Sequence, residues 1–176
     1  MRHLPARFIT IIAIAALLPS LAHAQQEKGD KEVQVFGNVS TTTGGDGGNM
    51  SNGSVGGFIG YFLTRQIQVK GGMIVDLSSA GGSTTETGIL SAGLVYNFAT
   101  QGRKTFPYVG IDIMSIGNST PNSQPTTAYR PSAGFKAFFT RNAAFDMNFG
   151  VEQMTGQQAQ SAGTTVDSRF GLSFVF

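Results

Sequence analysis

The sequence predicts an all-β fold, an eight-stranded antiparallel up-and-down transmembrane β-barrel preceded by a cleavable signal peptide. Three observations carry this reading. Residues 32–176 divide into eight stretches, several with a clear period-two alternation of apolar and polar residues, the pattern of a strand with one apolar and one polar face. The connections between them are alternately short and long. The last stretch, 165–176, places Val166, Phe170, Leu172, Phe174 and Phe176 on one face and Thr165, Asp167, Arg169, Gly171 and Ser173 on the other.

The leader comes first. Arg2 and Arg7 give a positive start, residues 9–21 are mostly apolar, and Ala22-His23-Ala24 is an A-x-A cleavage signal. Thr10, Pro19 and Ser20 interrupt the apolar run, which falls short of the ~20 residues a spanning helix needs. Residues 1–24 therefore read as a signal peptide for export through the Sec pathway, 25–31 as a polar tail, and 32–176 as the barrel.

Removing the leader changes the charge. The full chain has 12 Lys+Arg and 10 Asp+Glu; losing Arg2 and Arg7 leaves no net charge and no electrostatic case for nucleic acid. There is no Cys, and His3 and His23 both lie in the leader. The mature chain thus lacks the commonest general base near neutral pH and the commonest transition-metal ligand, which argues against an enzyme. No cofactor motif stands out, and Gly44-Gly45-Asp46-Gly47-Gly48 has too few carboxylates for a calcium cage, so no metal or cofactor is expected.

The strands are expected at 32–42, 54–63, 67–78, 87–98, 106–116, 128–139, 143–154 and 165–176, each about the 9–11 residues that cross a bilayer when tilted. The first follows the polar tail. The second is blurred by Phe58, and the fourth by Leu90 and Val95. In the third, Ile67, Val69, Met73, Val75 and Leu77 oppose Gln68, Lys70, Gly72, Asp76 and Ser78. The fifth carries Asp112. In the sixth, Tyr129, Ala133, Phe135, Ala137 and Phe139 oppose Arg130, Ser132, Gly134 and Lys136; in the seventh, Phe145, Met147, Phe149 and Val151 oppose Asp146, Asn148, Gly150 and Glu152.

Short connections fall at 64–66, 99–105 and 140–142, and long ones at 43–53, 79–86, 117–127 and 155–164, where only Asp46 and Glu86 are charged. Short turns at one end and longer loops at the other are the asymmetry of outer-membrane barrels. Tyr61, Phe62, Tyr96, Phe98, Phe106, Tyr108, Phe138, Phe139, Phe145, Phe174 and Phe176 all lie near a short turn or the C-terminus, as a girdle at one lipid–water boundary would.

A three-residue hairpin loop at Thr140-Arg141-Asn142 sets Phe139 opposite Ala143, which places Lys136 against Asp146 and Arg130 against Glu152. The same turn at Thr64-Arg65-Gln66 sets Gly60 against Lys70. Alternation then sends Lys70, Asp76, Asp112, Arg130, Lys136, Asp146, Glu152, Asp167 and Arg169 into the lumen. At eight strands the interior is just wide enough to be filled by side chains, so these charges are expected to form an ion-pair network, with an ion path as the alternative.

Taken together, the leader, strand pattern, girdle and terminal phenylalanine resemble the small eight-stranded outer-membrane barrels of the OmpX, OmpA-transmembrane-domain and OmpW-like kind. Arg169, Gly171, Phe174 and Phe176 match their C-terminal assembly signal. The resemblance implies an outer-membrane location among lipid and lipopolysaccharide, delivery by periplasmic chaperones and insertion by the Bam machinery. It implies a structural or surface-interaction role through four extracellular loops with an unknown host or surface ligand; the alternative is a narrow channel or carrier for small or hydrophobic solutes. The enzymes among such barrels rely on a histidine that the mature chain lacks.

Overall fold

The structure is a computed structural model and describes residues 26–45, 50–80, 83–99, 103–117, 126–155 and 162–176. The expected signal peptide lies outside these residues. Eight strands run in chain order: β1 Lys31–Gly45, β2 Met50–Phe62, β3 Ile67–Ala80, β4 Ser83–Asn97, β5 Thr105–Ile116, β6 Thr126–Phe138, β7 Ala143–Met154 and β8 Ala162–Val175. Each pairs antiparallel with its chain neighbour, and β8 pairs with β1 to close the barrel. Closure leaves no unpaired sheet edge, the condition for strands to cross lipid.

Strand periodicity decides what faces where. Val35, Ile59, Met73, Leu90, Ile113 and Phe149 are all exposed on the outer wall, as are Val166, Phe170, Leu172 and Phe174 on β8 and Phe176 just past it. A soluble protein would not leave so many large apolar side chains in water; a barrel wall in lipid requires them. The two ambiguous strands resolve the same way: Phe58 and Val95 point inward, 4% and 3% exposed, and Leu90 points outward at 61%.

The hairpin registers follow the short turns. Lys136 pairs with Asp146 and Phe138 with Ala144, the predicted β6–β7 register, and Gly60 pairs with Lys70. Two Thr side chains hold these turns in the same way: the Thr64 hydroxyl accepts from Ile67 N–H and the Thr140 hydroxyl from Ala143 N–H, both at 2.9 Å.

Three expectations are corrected. The strands run further toward the loop end than the hydropathy pattern reaches. Residues 79–86 were expected to be a loop, yet pairing continues to Ala80 opposite Ser83, because Ser and Thr serve a strand as well as a loop once backbone partners exist. The girdle splits: Tyr61, Tyr96, Phe98, Phe139, Phe145, Phe174 and Phe176 face out, but Phe62, Phe106, Tyr108 and Phe138 are buried inside. The tail also belongs to the fold. Lys31 opens β1, and Gly29 N–H donates to Phe62 C=O and Phe62 N–H to Asp30 C=O, both at 2.9 Å. Gly29 has φ of 96°, a left-handed turn that favours glycine and swings the tail under the turn end.

Candidate functional site

The lumen is the first place to look for function, and it is stratified. At the turn end, Phe62, Phe106, Phe138, Ala144 and Val175 form a buried apolar layer, with the Phe106 and Phe138 rings 5.7 Å apart. Toward the loops, Phe36, Ile74, Ile89 and Met114 belong to a second apolar cluster in which Phe36 stacks on Phe58 at 5.2 Å. The charged residues lie among and between these layers.

One charged group gathers on Lys136. Its ammonium lies 2.5 and 2.6 Å from the two Glu32 oxygens and 3.9 Å from Asp146 Oδ2. Gln68 donates its side-chain amide to the same Glu32 carboxylate, and the Tyr108 hydroxyl donates to Asp146 Oδ1 at 2.6 Å. The other group gathers on Arg130, which is wholly buried. Its Nε donates to Asp167 at 2.8 Å, its Nη2 to Asp167 Oδ1 at 2.5 Å and to Asn148 Oδ1 at 2.6 Å. Asp112 lies 3.4 Å from Arg130 Nη1 and 3.0 Å from Lys70 Nζ. Arg169 donates to Asp167 at 3.2 Å and covers the Phe36 ring at 5.2 Å, while Lys70 covers the Phe58 ring at 4.4 Å. Each cation therefore meets a carboxylate, an aromatic face or both, which offsets the cost of removing it from water.

All nine predicted lumenal residues line the interior; Lys136 keeps the expected Asp146 within ion-pair range, but the expected Arg130–Glu152 pair does not form. Arg130 does not engage Glu152, although strand register sets them opposite; it reaches past β7 to Asp167 on β8. Lys136 spans the lumen from β6 to Glu32 on β1. In a narrow barrel the inner side chains converge, so a long cation reaches carboxylates beyond its ladder neighbours as well as those beside it. Among the described residues, Glu152 and Asp76 form no ion pair; both line an open vestibule of about 250 Å³ at the loop end, with Asn38, Thr87 and Arg169. Sequence reasoning missed Glu32, Gln68 and Tyr108 as network members. Parity was the available signal: Tyr108 shares that of Asp112, and Gln68 that of Lys70.

The inner glycines are the sockets of these side chains. A Cβ at Gly150 would collide with the Arg130 guanidinium, one at Gly93 with Asp112, and one at Gly134 would lie 2.6 Å from the Tyr108 ring. Between the two charged groups remains a gap of about 10 Å³, at the lower limit for one water molecule. The arrangement can brace the walls.

Comparison with solved structures matches this architecture across the barrel. The N-terminal β-barrel domain of Pseudomonas aeruginosa OprF superposes with a TM-score of 0.65 at 21% identity, covering 86% of this chain and 100% of that one. The fold is that of the small eight-stranded outer-membrane β-barrels. Neisserial surface protein A gives 0.62 at 15% identity, covering 84% and 98%. A de novo designed transmembrane β-barrel gives 0.55 at 14%, covering 86% and 99%. No protein-family model matches the chain, and no curated protein matches it in sequence. A fold shared with a designed barrel says where such a chain can reside; what this one does has to come from its own residues.

Proposed function

We propose that the protein is a closed, non-conducting outer-membrane barrel that acts through its loop end and by bracing the membrane. The observation that carries this is the filled lumen: the Phe62–Phe106–Phe138 layer at the turn end, backed by the Lys136–Glu32 and Arg130–Asp167 braces. A non-enzymatic role is part of the reading, supported by a mature sequence without His or Cys. The outer-membrane setting, among phospholipid and lipopolysaccharide, is supported by the apolar outer wall. Assembly by the Bam machinery and periplasmic chaperones is supported by the C-terminal segment, where Phe174 and Phe176 are exposed on the outer wall while Arg169 lies within.

Planar-bilayer recording tests this. The mature chain is expected to be silent, and a Phe62→Ala/Phe138→Ala variant, in which the turn-end layer is removed, should leak small ions. Steady conductance by the unmodified chain would overturn the closed reading. The second reading, a carrier of small solutes, draws on the vestibule, whose wall combines Ile74, Ile89 and Ile116 with Asp76 and Glu152. It describes a cup at the loop end, and saturable binding of a small solute by the chain in micelles, lost on filling the vestibule by Thr87→Phe, would favour it.

A further inference from the structure

The mature chain is neutral overall, but its charge is sorted by position. Lys28, Lys31, Arg65, Arg103, Lys104 and Arg141 all lie in the turns or at the turn-end rim, against Glu27 and Asp30 alone. None of these six cations forms an ion pair among the described residues, and five of them are exposed. The long connections at the other end contain no Lys or Arg. The basic rim runs beside the outward-facing part of the aromatic girdle, where headgroups meet the apolar wall.

At one place on that rim the wall is hollow. A groove of about 320 Å³ on the outer face is lined by Lys31, Ile59, Tyr61, Val69 and Gly71, together with Gly60 and Lys70, whose ammonium is held at Asp112. Lys31 pairs with Tyr61 and Tyr61 with Val69, so these three share the level nearest the turns; Ile59 pairs with Gly71 one outward position deeper. The charged end thus sits at the headgroup boundary and the bare end points toward the bilayer centre. Gly71 is not forced by packing. A Cβ there would meet only Ser91 C=O, at 3.7 Å, an ordinary contact, whereas Gly72 beside it would collide with Phe58 and the Gly57 backbone.

We propose that this groove is a specific site for an anionic glycerophospholipid of the turn-end leaflet, one acyl chain lying over Gly71 between Ile59 and Val69 and the phosphate held by Lys31. Charge complementarity selects the headgroup: a phosphodiester beside a basic rim gains about fivefold in affinity for each lysine near the surface. The inference rests on the barrel lying in a membrane, not on whether its lumen conducts.

Native mass spectrometry of the full mature chain in detergent, titrated with phosphatidylglycerol, tests it. The unmodified chain should retain one lipid more strongly than the rest. Lys31→Ala should weaken that adduct about fivefold, and Gly71→Leu, which fills the groove, should abolish it. Gly88→Leu adds the same side chain to the outer face near the loop end, where a Cβ meets nothing within 4 Å, and should leave the adduct intact. Heat-modifiable migration on gels establishes that each variant is folded, and Lys31→Ala carries the test should Gly71→Leu fail. Equal retention by the unmodified chain and Lys31→Ala, equal affinity for uncharged diacylglycerol, or binding of peptidoglycan sacculi without any lipid adduct would each overturn the proposal.

Discussion

Lys136 and Glu152 are both lumenal charges by parity, yet the lumen treats them differently. Lys136 touches both oxygens of Glu32, and each of the two is almost wholly buried. Removing one member of such a pair strands the other, so Lys136→Ala should cost about 3–5 kcal/mol of stability, while a Glu32→Leu/Lys136→Met double replacement should restore most of it. Glu152 has no cation within ion-pair range among the described residues and opens onto the vestibule. Glu152→Gln should change stability by less than about 1 kcal/mol. Urea unfolding of the three variants in micelles checks both values; equal losses from Lys136→Ala and Glu152→Gln would show that the network does not concentrate on Lys136. The inward direction of these residues was legible from alternation. Lys136 beside Asp146 was legible from register as well; Glu32 and Asp167 as partners were not, because alternation fixes the wall a side chain leaves and says nothing of the wall it reaches.

The strands tell a similar story at the next scale. The register of β6 against β7 was readable to the residue, since a short turn with Thr140 fixes register and register fixes every pair behind it. The loop ends of β3 and β4 were not, since their Ser, Thr and Gly residues carry no face. Proximity to a turn does not by itself put an aromatic in the girdle, because parity decides the face: Phe138 shares the parity of Lys136, not of Phe139, and points inward. β8 supports a prediction of its own. Phe174 and Phe176 face lipid, 44% and 65% exposed, and neither belongs to the buried layer inside, so a Phe174→Ala/Phe176→Ala variant should refold in detergent much as the unmodified chain does. In cells the same variant should accumulate unassembled if Arg169, Gly171, Phe174 and Phe176 act as an assembly signal. Normal outer-membrane yield would leave these aromatics as girdle residues and nothing more.

For the molecule as a whole, fold class was legible because a barrel in lipid imposes one rule on every strand, and the outer wall obeys it throughout. Function was less legible because filling a lumen needs only volume and paired charge, which many sequences supply. The β1–β8 seam carries a further consequence. Lys31 N–H donates to Phe176 C=O and Phe176 N–H to Lys31 C=O, both at 2.9 Å, so the two ends of the barrel are neighbours in one ladder. Topologically the barrel is a ring with a nick, and nothing in the pairing distinguishes the nicked hairpin from the seven covalent ones. A circular permutant that joins Phe176 to the tail by a short linker and opens the chain between Ala80 and Ser83 should still close into a heat-modifiable barrel. It would do so with its terminal phenylalanine moved to the interior of the sequence, and so would separate what the closed ladder needs from what the assembly machinery reads.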